Sequence, residues 1–182
     1  MKRIALTGGA AEGKSTILAI AKAAGVDTIS SDDVVRELWG EDSIQAALRS
    51  LMGREAPIAP LDVRPRFLSD PSFRRGLNAI FHRPVYRRLM ESSALVLEVP
   101  LLIETCLQRS FDRVWVVTCG HEEQMNRLIS RFGNQQAAQA LLATQLNSAV
   151  RVSFADRVFR TNRDPSHVQS DVLAALSSES LI

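Results

Sequence analysis

The sequence predicts an α/β fold, a parallel five-stranded sheet covered by helices on both faces, and three observations lead there. Ile4-Ala5-Leu6-Thr7 is a short apolar run that leads straight into a glycine loop, and the residues after the loop have helical character. Apolar runs and helix-length segments then alternate at the spacing of strand–helix–strand units. Two later runs, Ala94 to Val99 and Arg113 to Thr118, are almost continuously apolar, as strands buried on both faces are.

The loop carries the first chemistry. Gly8-Gly9-Ala10-Ala11-Glu12-Gly13-Lys14-Ser15 fits G-x-x-x-x-G-K-[ST], the phosphate-binding P-loop. Glycines let the backbone turn sharply and approach a phosphate. The loop N–H groups converge on an anion at the start of a helix, where the helix dipole adds to the attraction. Lys14 can reach the β- and γ-phosphates of ATP, and the Ser15 hydroxyl can take a place on Mg²⁺. The competing reading is a Gly/Ala-rich turn that happens to end in Gly-Lys-Ser. The complete motif, placed between a strand and a helix, favours the P-loop. The nucleotide-binding set is therefore Gly8, Gly9, Ala10, Ala11, Glu12, Gly13, Lys14, Ser15 and Thr16. A carboxylate in such a loop repels phosphate unless it points away, so Glu12 is expected to face outward.

The remaining elements follow in order. Ser15 to Ala24 reads as the first helix, with Gly25 as its C-cap. Val26 to Ile29 is a second strand, and Val34 to Trp39 a helix after Ser30-Ser31-Asp32-Asp33. Between Ser43 and Met90 helical periodicity dominates, with Ile44 to Met52 a helix and Ala56 to Pro60 a loop. Asp70-Pro71 marks a helix start, and Pro84 is expected to kink or restart that helix. The two apolar strands come next, then a helix from Glu122 to Arg131, a break at Phe132-Gly133-Asn134 with Asn134 as a cap, and a helix from Gln135 to Leu146. Arg157 to Arg160 is the fifth strand, Pro165 to Leu176 the closing helix, and Ser177 to Ile182 a frayed tail.

Composition narrows the function. The chain has 182 residues, 46% hydrophobic and 23% charged, as expected of one globular domain. A net charge of +2 with scattered basic residues gives no footprint for nucleic acid. Cys106 and Cys119 lack metal-ligand spacing and point to a reducing, cytoplasmic setting. The first apolar run ends in the glycine loop, which argues against a signal peptide, and no apolar stretch is long enough to span a bilayer. The expectation is a monomer without nucleic-acid or membrane partners.

Several segments together resemble the dephospho-coenzyme A kinase family, P-loop kinases of the nucleoside-monophosphate-kinase type. They are Leu6-Thr7-Gly8-Gly9, Ser30-Ser31-Asp32, Leu77-Asn78-Ala79-Ile80-Phe81-His82, Val99-Pro100-Leu101-Leu102-Ile103-Glu104, Asp112-Arg113-Val114, Gln124-x-x-Arg127 and Ala155-Asp156-x-Val158. The resemblance implies ATP-dependent phosphorylation of the ribose 3′-hydroxyl of dephospho-coenzyme A. It implies a three-layer P-loop NTPase fold with a core at 1–38, 93–120 and 150–176, a helical acceptor-binding region at about 39–92 and a lid at about 121–149. The chain departs from the family pattern at Ser30, at His82-Arg83-Pro84, at Leu61-Asp62-Val63-Arg64, at Arg131-Phe132 and at Thr161-Asn162-Arg163. Two other readings remain: a P-loop kinase for another small hydroxyl or nucleotide acceptor, and an ATP-binding regulatory module without turnover.

The resemblance also suggests roles. Asp32 follows a strand end and becomes the carboxylate that accepts or orients the 3′-hydroxyl; a helix cap is the plainer alternative. Arg127 and Arg131 lie four apart and share a helix face, as lid cations over the phosphates or as an ordinary solvated face. Arg151 is a further candidate for the same anionic pocket. His82 and Asn78 either contact the acceptor or hold the helical region. Glu98 ends a strand beside the P-loop strand, where it holds a water on the metal or caps the next turn. Glu104 reads as structural.

Overall fold

The computed structural model describes residues 2–182. In chain order its elements are β1 (Ile4–Thr7), α1 (Lys14–Ala23), β2 (Thr28–Ser30), α2 (Ser31–Leu38), α3 (Asp42–Met52), α4 (Pro60–Ser69), α5 (Pro71–Glu91), β3 (Val96–Glu98), a 3-10 turn (Gln108–Ser110), β4 (Arg113–Thr118), α6 (His121–Phe132), α7 (Gln135–Leu142), α8 (Ser148–Val152), β5 (Arg157–Arg160) and α9 (Pro165–Ser178). They fall into two compact units, one from the N-terminus to Ser30 together with Ser93–Ile182, the other Ser31–Ser92.

The first unit is the sheet unit. Its strands run parallel in the order β2-β3-β1-β4-β5. Leu6 sits between Glu98 on one side and Trp115 on the other, and Ser30 pairs with Glu98. The strands therefore end together, and the loops that follow them converge at one edge, where open α/β sheets bind ligands. One face packs on α1 and α9 through Ile4, Leu6, Ile17, Trp115, Phe159 and Val172. The Phe159 and Trp115 rings meet edge to face at 5.2 Å. Ala5, Leu97, Val114 and Val116 alternate to the opposite face and are buried as well, and α8 packs on β4. The continuous apolar reading of the strands thus reflects burial on both sides.

Boundaries moved where backbone groups were already committed. The α1 helix closes with Gly25 at φ 84°, and the N–H groups of Gly25 and Val26 donate to Lys22 and Ala21 oxygens at 3.0 and 3.1 Å. Val26 is consumed by this closure, so β2 begins two residues later than the sequence suggests. The expected helix to Leu146 stops at Leu142, and the separate short helix α8 follows. The tail is not frayed. The closing helix runs on to Ser178, Glu179 pairs with Lys2 and with Arg113, and Leu181 packs on the core.

The second unit is helical, with α2, α3 and α4 all packing on α5. Residues 31–38 belong here because Val34 and Leu38 are buried on α2, the helix laid against α5. Trp39 stacks on Phe81 with ring centres 5.1 Å apart. Its indole N–H donates to the Ile58 carbonyl at 2.7 Å, and Gln45 bonds both the N–H and the carbonyl of Ile58, fixing the loop before α4. The α4 helix escaped the sequence reading. Pro60 opens it and the Asp62 carboxylate accepts from the Ala59 N–H at 2.8 Å, a start signal hidden in a stretch read as loop. Asp70 caps α5 as expected, accepting from the Ser72 and Phe73 N–H groups, and the Phe73 bond above all holds its carboxyl below the usual range.

The α5 helix runs 21 residues through Pro84 without restarting. Pro84 has no N–H for the Ile80 carbonyl. The buried stripe of Phe73, Leu77, Phe81 and Leu89 lies on both sides of that gap, and its packing outweighs the lost bond. Among the described residues no helix is long and apolar enough to cross a membrane.

Two outcomes follow for the helical unit. Pro84→Ala restores the missing donor, so thermal unfolding should shift upward by an amount corresponding to ~1–3 kcal/mol; an unchanged or lower melting temperature would contradict the packing argument. Partial burial lowers the His82 pKa below the ordinary 6.5. The unfolded chain then binds the proton more readily than the native one. Stability should hold above pH ~6.5 and decline as pH falls below it. His82→Gln should flatten part of that slope in unfolding experiments run across pH 5 to 8.

Candidate active site

The loop from Gly8 to Gly13 depends on its two end glycines. A Cβ on Gly8 would lie 2.6 Å from the Val117 carbonyl oxygen, and Gly13 has φ 95° with the Thr161 side chain 2.8 Å from where its Cβ would be. Ala11 also takes a left-handed φ of 60°, which costs a non-glycine residue about 1 kcal/mol. Side chains from elsewhere hold that conformation. Arg127 donates to the Ala11 carbonyl at 3.3 Å, Gln124 to the Ala10 carbonyl at 2.9 Å, and Thr161 Oγ1 to the Glu12 carbonyl at 2.7 Å. The Ala10 N–H is taken by Gln145 Oε1 at 3.0 Å.

Glu12 does not face outward. It is fully buried. One carboxylate oxygen accepts from the Gly9 N–H, and the other from Thr118 Oγ1 at 3.1 Å and Ser148 Oγ at 2.6 Å. The hydroxyls at the end of β4 and the start of α8, with the Gly9 amide, supply the donors that burial takes away from solvent.

Lys14 opens α1 with its side chain 11% exposed and curls back over the loop. Its Nζ donates to the Gly8 and Gly9 carbonyls at 3.1 and 2.9 Å and lies 3.8 Å from Glu98 Oε1. Glu98 is buried at the end of β3, and its other oxygen accepts from Ser30 Oγ at 2.6 Å. Parallel pairing of β1 with β3 brings ammonium and carboxylate together. Ser15 and Thr16 are exposed at the start of α1.

Arg127 is anchored by Glu123 at 2.7 Å and grips Thr161 twice, at Oγ1 (3.1 Å) and at the carbonyl (2.8 Å). Beside it an open pocket of about 410 Å³ is lined by Thr16, Ile20, Arg127, Thr161, Arg163 and Val168, among others. Arg131 is exposed at the end of α6. Cys119 is buried next to the Ala11 carbonyl, and burial pushes its thiol pKa up. Arg151 is almost fully buried and salt-bridged to Glu104 at 2.7 Å, so Glu104 neutralises it within the sheet unit.

The helical unit carries the other candidates. Asp32 is exposed in the first turn of α2, next to Asp33, which pairs with Arg36 at 2.7 Å. Asn78 and His82 lie one turn apart on α5 and share a face. The sheet unit thus gathers the P-loop, Glu98 and Arg127, and the helical unit holds Asp32, Asn78 and His82. Gln145, Ser148 and Thr161, which shape the loop, carry no role in the sequence reading. Gln124 was visible only inside the Gln-x-x-Arg pattern.

Comparison with known proteins places this geometry. The sequence pattern of the family described as dephospho-CoA kinase matches residues 2–166. Dephospho-CoA kinase from Methylococcus capsulatus is 30% identical over 192 aligned residues, covering 98% of this chain and 97% of the relative. The fold is similar to that of TT1252 from Thermus thermophilus, with a TM-score of 0.81 at 23% identity over 98% of this chain and 97% of the other. It is also similar to dephospho-CoA kinase from Campylobacter jejuni, at 0.63 and 19% over 97% and 96%. The α/β P-loop architecture and the sequence match agree, and the chain belongs to the dephospho-CoA kinase family.

Proposed function

We propose that this chain transfers the γ-phosphoryl group of ATP to the ribose 3′-hydroxyl of dephospho-coenzyme A. The observation that supports it best is Lys14 held over the P-loop between two loop carbonyls and Glu98. Those partners keep the ammonium extended along the loop, where an incoming triphosphate would meet it. Family membership supplies the acceptor.

In this reading the loop N–H groups and Lys14 hold the triphosphate, and Arg127 lies over its α6 side. The pocket beside Arg127 receives the nucleoside, with Ile20 and Val168 as apolar walls. Asp32 takes the proton of the 3′-hydroxyl. The new bond joins that oxygen to the γ-phosphorus, the bond to the β-bridging oxygen breaks, and ADP leaves. Arg131 adds positive potential, whereas Arg151 is already neutralised by Glu104; Asn78 and His82 position the acceptor.

Among the described residues there is no cluster of three or more metal-ligating side chains. One buried carboxylate, Glu98 at the end of β3, and one exposed hydroxyl, Ser15 in the first turn of α1, suit Mg²⁺, which keeps its waters and binds largely through phosphates. Bound there by Ser15 and by a water on Glu98, Mg²⁺ would neutralise charge on the β- and γ-oxygens. The reaction is proposed to run on a monomer and in the cytoplasm, a compartment that two free cysteines support.

Purified protein should convert dephospho-coenzyme A and ATP to coenzyme A and ADP, and chelation of Mg²⁺ should stop it. Asp32→Asn should lower kcat by ~10²-fold or more while ATP still binds; near-normal turnover would remove Asp32 from the proton-accepting role. Lys14→Ala should weaken ATP binding and cut transfer by ~10²-fold or more, because the charge facing the moving phosphoryl group is gone. ATP consumption that ignores dephospho-coenzyme A but responds to another hydroxyl compound would refute the acceptor.

A further inference from the structure

Glu12 is a fully buried carboxylate that the proposed reaction leaves without a task. It has no ion-pair partner among the described residues, only three hydrogen-bond donors. Burying a charge without a counter-ion is costly, and losing even one of its donors exposes that cost. The donors come from three places: the P-loop itself through the Gly9 N–H, the end of β4 through Thr118, and the first residue of α8 through Ser148. Thr118 Oγ1 also accepts from the Gly120 N–H at 3.2 Å, which commits its proton to Glu12. Around the same loop, Gln145 takes the Ala10 N–H and Gln124 the Ala10 carbonyl. Ser148, Gln145 and Gln124 all belong to the segment read as the lid, residues 121–149. With Arg127 on the Ala11 carbonyl, that segment touches the loop at three consecutive residues, and Glu12 is the loop's own charged contribution to the row.

We infer that Glu12 is a positioning residue: with Ser148 it bolts the lid segment to the phosphate loop, so that the loop keeps its ATP-binding shape and moves with the lid. The inference rests on the reading that ATP phosphates occupy this loop. A filler would need only volume. A bolt needs the Ser148 hydroxyl, and the two residues must then act as one.

Mg·ATP binding by calorimetry and steady-state kinetics on the full chain test this, for Glu12→Ala, Ser148→Ala and the double variant. Glu12→Ala should weaken ATP binding and raise the ATP KM by ~10-fold, the scale of hydrogen bonds to a charged group. The KM for dephospho-coenzyme A should stay within about twofold, since Glu12 touches only the donor side. Ser148→Ala should weaken ATP binding by roughly threefold or more, and the double variant should be no worse than Glu12→Ala. Effects that simply multiply, or Ser148→Ala with wild-type ATP affinity, would overturn the inference. So would a Glu12→Ala protein with a lower melting temperature and unchanged ATP affinity. If Glu12→Ala does not fold, Ser148→Ala alone decides, because it removes one surface-side hydroxyl. Failure of the wild-type protein to bind ATP would instead defeat the functional reading, so the two failures are separable.

Discussion

A loop that doubles back between a strand and a helix has no ladder for its carbonyls, and each of them has to find a donor elsewhere. Most of the sheet unit serves this constraint. The Gly8 and Gly9 oxygens are taken by Lys14, Ala10 by Gln124, Ala11 by Arg127 and Glu12 by Thr161. The donors come from α1, from α6 and from the loop after β5. A loop of this shape carries left-handed residues at Ala11 and Gly13, which a free peptide of the same sequence would not hold. Its form is set by tertiary contacts, with the glycines removing only the steric obstacle.

Sheet order explains how those donors arrive. With β1 in the centre, its neighbours β3 and β4 end on either side of the loop. The first delivers Glu98 next to Lys14, and the second delivers Thr118 to Glu12. The outer strand β5 runs one step further out and returns Thr161 over Gly13. Neighbouring parallel strands separated by long stretches of chain thus bring distant residues together around the loop, Thr118 and Thr161 to Glu12 from 106 and 149 positions away. Thr161 then ties two of these contributions together, because Arg127 bonds both its hydroxyl and its carbonyl while the same hydroxyl donates to the loop.

What the sequence made legible follows from the range of the forces involved. The strands, the P-loop, the Asp70 and Asn134 caps and the Gly25 helix closure rest on local patterns, and each can be read from a few neighbouring residues. The α4 helix was missed because its cap is an unremarkable Ala-Pro-Leu-Asp, and its interior Pro65 argues for a loop. Pro84 misled for the opposite reason: the local rule predicts a break, and burial of four large side chains on α5 overrides it. Glu12 was read from its own charge and its loop neighbours. The Thr118 and Ser148 hydroxyls that turn it inward lie 106 and 136 residues away, and no local pattern announces them. The same holds for Gln145 and Thr161, polar residues in unremarkable surroundings whose work is visible only in three dimensions.

The charges around the loop have a consequence for binding an anion. Lys14 is already shared with Glu98, and Arg127 with Glu123. A triphosphate must therefore draw these cations partly away from carboxylates that hold them, and Glu12 adds buried negative charge without a cation of its own. Lys14 and Arg127 are thus each matched by a carboxylate before Glu12 is counted. Phosphates bring further negative charge to these carboxylates. The loop amides supply part of what is missing, as fixed dipoles that need no counter-ion. In the proposed reaction a cation that enters with the nucleotide would supply the rest, and Glu98 is the buried carboxylate proposed to meet it through a water.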